Sequence, residues 1–124
     1  VKSSVTAGES GACNRLYFTV ENWTTGPISI SSLTLSWSSP LAFYEDIRWA
    51  GSQVFYSPGD RSGTGEISSF SGSVIINAGS SAAVQLRNFR SSPSGGGVVN
   101  MPNVAFTVQL SDGSTFNIST GGCP

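Results

Sequence analysis

Apolar and polar residues alternate along most of this chain, with the period of a strand rather than of a helix. In "RLYFTVE" the apolar Leu16, Phe18 and Val20 fall on one face, and Arg15, Tyr17, Thr19 and Glu21 on the other. "NWTTGP" follows as a loop. "ISISSLTLSW" puts Ile28 and Ile30 in one phase and Leu33, Leu35 and Trp37 in the opposite one. A slip of one residue at Ser31–Ser32 is what a β-bulge, or a strand changing sheets, produces. "FYEDIRW" alternates Phe43, Ile47 and Trp49 against Tyr44, Asp46 and Arg48, and "AGS" turns the chain into a short "VFY".

Beyond the loop "SPGDRSGTGE", the segments "SSFSGSVIIN" and "AAVQLRNF" give two more strands, the second with Val84 and Leu86 inward. The glycine-rich "RSSPSGGG" reads as the longest flexible loop. "VAFTVQLSDGSTFNIST" reads as a hairpin, with Val104, Phe106, Val108 and Leu110 alternating and Asp112–Gly113 supplying the positive-φ turn. No window carries a capped helical pattern. Seven to nine short strands at regular spacing predict an all-β fold, an antiparallel immunoglobulin-like sandwich. Residues 1–12, small and polar without a period, are expected to be a tail or stem, and residues 13–124 a single sandwich domain.

Composition changes this picture in one respect. The chain has 124 residues and is 38% hydrophobic, enough for a core, but only 10% of it is charged, against about 25% in typical soluble domains. Serine, threonine, glycine and asparagine keep it soluble instead, which suits an exported surface. Lys2 is the one lysine and the formal net charge is −1. This balance offers no evident footprint for nucleic acid or anionic lipid. No apolar run is long enough to span a membrane, so any membrane attachment is expected to come from a segment upstream of Val1.

Two cysteines bracket the domain, Cys13 near its start and Cys123 one residue from the end. In an oxidising, extracellular compartment they are expected to form a disulfide that keeps the last strand from peeling away. Closing a loop of about 110 residues is worth about 4 to 5 kcal/mol in the chain-entropy account.

Candidate chemistry is sparse. The sequence has no histidine, which removes His-dependent nucleophile systems and the usual zinc sites. Glu45 and Asp46 are adjacent in a strand, so their side chains leave opposite faces and cannot flank one glycosidic bond. Asp60 and Glu66 share a loop that lacks the alternating oxygen ligands of a calcium loop. "GTG" and "GGG" precede no helix and so form no phosphate cradle. The chain is therefore expected to be no enzyme and to need no cofactor and no metal. "NWT" at Asn22 and "NIS" at Asn117 match the N-glycosylation pattern.

The aromatic residues carry the remaining functional signal. Trp37 is in phase with Leu33 and Leu35 and belongs to the core, whereas Trp23 lies in a loop. Tyr44, Trp49 and Tyr56 gather around the turn "AGS" and form the candidate contact surface. The alternative is that these rings plug the end of the sandwich.

The succession "RLYFTVEN", "GPISISSLTLSW", "FYEDIRWAGSQVF", "SVIINAGSSAAVQLRNF" and "VAFTVQLSDGSTFNIS" resembles the extracellular β-rich heads of type IV pilin-like and pseudopilin-like proteins. The likeness covers residues 13 to 120 and is one of pattern and turn chemistry. "GGCP" is similar to the cysteine-bearing tail of many such pilins. The hydrophobic helix that defines the family does not occur in these residues. The resemblance implies a soluble head working in filament assembly, adhesion or surface capture, with other filament subunits or a cell-surface carbohydrate as partners. The chain is also similar to bacterial cellulose-binding modules, which are small and all-β, with cysteines near both ends and three tryptophans in an exposed planar strip. That likeness implies a carbohydrate-binding module of a secreted hydrolase.

Overall fold

Alternation of apolar and polar residues lets a strand bury one face and wet the other, and this chain uses it repeatedly. A computed structural model describes residues 2–7 and 14–120. Its strands are β1 (Lys2–Ala7), β2 (Leu16–Glu21), β3 (Ile28–Ser36), β4 (Asp46–Trp49), β5 (Ser52–Tyr56) and β6 (Ile67–Ile76). They continue with β7 (Ser81–Arg87), β8 (Arg90–Ser92), β9 (Gly95–Val98), β10 (Ala105–Leu110) and β11 (Thr115–Ser119). A five-stranded sheet runs β1-β2-β7-β4-β5, a four-stranded sheet β11-β10-β3-β6, and β8 pairs with β9. Every pairing among them is antiparallel. This is the all-β antiparallel sandwich that the period-two pattern predicts.

The core lies between the two main sheets. Leu16, Phe18 and Val20 of β2, with Val84 and Leu86 of β7, meet Leu33 and Leu35 of β3 and Phe106, Val108 and Leu110 of β10, all buried. Each such side chain contributes about 1.5 to 3 kcal/mol on leaving water. Ring contacts tie one sheet to the other: Phe18 to Phe116 at 6.0 Å and Trp49 to Phe70 at 5.8 Å. At the opposite end, Phe106, Trp37, Phe89, Tyr44 and Phe55 form a chain of neighbouring rings 5.6 to 6.3 Å apart. The phase slip expected at Ser31–Ser32 is present as a register shift between Ile30 and Ser32 against β6.

Positive φ shapes the hairpin turns. Ala50 (φ 51°) and Gly51 (φ 86°) join β4 to β5, whose pair Trp49–Ser52 closes the hairpin. A two-residue turn with both φ values positive matches the twist of its strands. Gly113 (φ 94°) does similar work between β10 and β11.

Three expectations change. The polar segment expected to be a tail supplies β1, which pairs with β2 from Lys2–Glu21 to Ala7–Leu16. A polar strand that begins with lysine suits a sheet edge, where only one side is paired. "RSSPSGGG", expected as a flexible loop, contributes to the β8–β9 hairpin, and Arg61 N–H donates to Pro93 O at 2.8 Å to pin it. Tyr44, expected on a polar face, points into the core. The alternation restarts at Glu45, because β4 begins only at Asp46 and Tyr44 forms a separate bridge with Ser62. The expected Cys13–Cys123 disulfide lies outside the described residues.

Candidate functional site: the two outer faces

The candidate contact surface comes apart in the structure. Tyr44 is fully buried and Trp49 is 4% exposed, while Tyr56 is 59% exposed. Tyr44 shares a 2.8 Å hydrogen bond with Ser68, whose hydroxyl donates to Ser62 at 2.9 Å. Burial pushes the Tyr44 phenol up to about 12, the two serine contacts opposing and Glu66 adding slightly. Tyr44 and Trp49 therefore plug the sandwich, and only Tyr56 of the three can meet a partner.

Tyr56 instead belongs to the outer face of the five-stranded sheet. Register places it beside Asp46, and Asp46 beside Arg87. Arg15, one residue before β2, falls opposite Arg87 when the β2–β7 register is continued. The next row is Tyr17, Gln85, Arg48 and Gln53. Asp46 is the hub: one carboxylate oxygen accepts from Arg48 Nε at 3.3 Å and lies 3.7 Å from Arg87 Nη1, and the other accepts from Gln53 at 3.2 Å. A groove of about 250 Å³ opens beside this row, where Ala83 leaves space between Tyr17, Thr19 and Gln85.

The outer face of the four-stranded sheet is different in kind. None of β3, β6, β10 and β11 contains a charged residue. Its outward positions are hydroxyls and amides, with Thr34, Ser36, Thr107, Gln109 and Asn117 in adjacent register. At its edge Ile67 and Ile75 stand exposed on β6, 70% and 66%. One hollow of about 440 Å³ lies over Trp37 and Phe106 between Ser36, Thr107 and Asn117, and another of about 190 Å³ lies beside Ile67. Asp112 sits in the β10–β11 turn, its carboxylate accepting from the Ser114 backbone and hydroxyl.

Other polar side chains stabilise loops. Glu45 accepts from Arg61 at 2.8 Å and from Asn88, joining three segments at one end of the sandwich. Glu45 and Asp46 thus face separate partners, as their adjacency in the sequence predicts. Glu66 accepts from the Gly63 backbone. No cluster of three or more potential metal ligands occurs among the described residues. Asn22, in the first glycosylation pattern, is fully buried. Its amide donates to Ile76 O at 2.7 Å and Gly26 O at 2.9 Å, so that nitrogen is held inside the fold. Asn117, in the second, is exposed on the uncharged face.

Arg48, Arg87, Tyr17 and the glutamines are legible in the sequence only as outward positions in separate strands. Their adjacency depends on pairing β2 with β7 and β7 with β4, which no local pattern encodes. Neither a protein-family model nor a curated protein matches the chain.

Proposed function

We propose that the chain is the extracellular head of a type IV pilin-like filament subunit, performing no chemistry and working through surface contact with neighbouring subunits. The observation that carries this reading is the uncharged outer face of the four-stranded sheet. A surface of hydroxyls and amides can approach a copy of itself without like-charge repulsion, and a low charge density favours association. Ile67 and Ile75 supply exposed apolar knobs, and the hollows on the same face can receive such knobs. A face that packs on its own copy makes a two-fold contact, which joins subunits in pairs and leaves filament growth to contacts elsewhere on the subunit. The alternative, a cellulose-binding module, needs a strip of exposed tryptophans. Trp37 and Trp49 are buried and only Trp23, in a loop, is exposed.

The coding sequence upstream of Val1 tests the proposal. A short basic leader followed by about 20 apolar residues, enough to cross a bilayer, with a glutamate near their start is the expected result. A Ser/Pro/Thr-rich linker running back to a hydrolase would replace this reading with the binding module.

A further inference from the structure

Charge is unevenly shared on the outer face of the five-stranded sheet. Arg15, Arg48 and Arg87 come from three separate strands or their ends, yet the register sets Arg48 and Arg87 on a single carboxylate, Asp46, with Arg15 one strand beyond Arg87. The other acid of this face, Glu21, lies four residues along β2 from Tyr17, about 13 Å away at strand rise, and accepts a hydrogen bond from Trp23 at 2.7 Å. The strip is therefore locally cationic although the whole chain carries −1.

Its donors are also incompletely used. The Nε atoms of Arg15 and Arg87 are shielded from water and have no hydrogen-bond partner among the described residues. The same is true of Arg61 and Arg90 away from the strip, so what an anion can meet at these arginines is their Nη groups. Arg48 is more open, its side chain 37% exposed; Nε is held by Asp46, which leaves the Nη groups for a ligand. Aromatic rings stand at both ends of the strip: Tyr17 on β2 and Tyr56 on β5, three inter-strand spacings and two residues of strand rise apart, about 16 Å. Gln53 and Gln85 add neutral amides between them.

We infer that this strip binds an acidic polysaccharide, with the arginines on its carboxylates and the tyrosines against its sugar rings. A uronic-acid chain offers carboxylates, hydroxyls and apolar ring faces along an extended ligand, and the strip offers a counterpart for each. Other anionic partners fit less well. Three arginines fall short of the roughly 6 to 10 phosphate contacts of a duplex-binding surface, and of the clusters of about 4 to 8 basic residues that hold anionic lipid. The centre of a protein interface is depleted in charge, whereas the middle of this strip holds Asp46 with Arg48 and Arg87. Among the described residues no large exposed aliphatic side chain lies on this face, since Leu41, Ile67, Ile75 and Val98 are elsewhere. This site goes beyond subunit packing and lies on the opposite sheet, so either can fail without the other.

Affinity electrophoresis and calorimetry of the whole chain with polygalacturonate test the inference, with dextran as the neutral control. Retention by polygalacturonate but not by dextran, weakened by added salt, is expected. Arg48→Gln should weaken binding about tenfold or more, the effect of removing one charge-assisted hydrogen bond. Tyr56→Ala, at an exposed position, should weaken it about threefold to tenfold while leaving the fold intact. Circular dichroism and melting of both variants separate lost binding from lost structure. The inference is overturned by absence of polygalacturonate binding, by equal binding of dextran, or by unchanged binding in both folded variants. Tighter capture by duplex DNA or by phosphatidylserine vesicles would equally reject the polysaccharide assignment.

Discussion

The two sheets share one core but present opposite kinds of surface. Outside the five-stranded sheet, Asp46 gathers Arg48, Arg87 and Gln53 into a charged network with tyrosines at its ends. Outside the four-stranded sheet, the strands carry no charge, and contacts such as Thr107 Oγ1 to Asn117 Oδ1 at 2.9 Å join neutral groups. The core requires only that each strand turn an apolar face inward. What the other face carries is free to diverge, and here it has divided into a surface suited to an anionic ligand and one suited to another uncharged surface.

Substitutions between the sheets should ignore this division and have the largest effects. Trp49→Ala removes a buried ring packed on Phe70 across the core and should cost about 3 to 5 kcal/mol in denaturant unfolding. A cost below about 1 kcal/mol would return Trp49 to the surface.

The next effect belongs to alkaline pH. Tyr44 holds its proton to about 12 in the fold, against 10.0 ordinarily. The folded state binds this proton more tightly, so the contribution is complete below pH 10 and is lost as pH rises from 10 towards 12, at most about 3 kcal/mol. Unfolding curves measured across that window should show the decline. Tyr44→Phe should remove this component, and an equally steep decline in the variant would assign it to other groups.

Less again is expected on the charged face. Asp46→Asn leaves two guanidiniums without their carboxylate and should cost about 2 kcal/mol, below the figure for a fully buried pair because Arg48 is partly exposed. The matching change on the neutral face, Thr107→Val, should fall within about 0.5 kcal/mol. Similar losses at both positions would mean that the two faces are equally structured and the contrast is superficial.

How much of this is legible in the sequence depends on range. Leu16, Phe18 and Val20, the slip at Ser31–Ser32 and the Asp112–Gly113 turn follow from neighbours a few residues away, and these stand in the structure as expected. Alternation misplaces Tyr44 when it is carried through Glu45, where the chain leaves one pairing for another. Trp49 sits at a strand end, a position that alone does not say whether the ring folds over the core or out of it. The Gly95–Val98 strand is hidden by its glycines, which favour flexibility locally but pair when β8 lies alongside. The arginine strip is illegible for another reason: its members are separated by whole strands, and only sheet order β2-β7-β4-β5 brings them together.

The claim that the neutral face packs against other copies is tested most directly by sedimentation equilibrium of the whole chain over a wide concentration range. Wild-type protein should associate reversibly, and added salt should not weaken the association, because no charge lies in the contact. Thr107→Lys, exposed and outside the core, should remain folded and monomeric throughout. A wild-type chain that stays monomeric at every concentration, or a Thr107→Lys variant that associates as strongly, would mean that the neutral face is not a contact between copies.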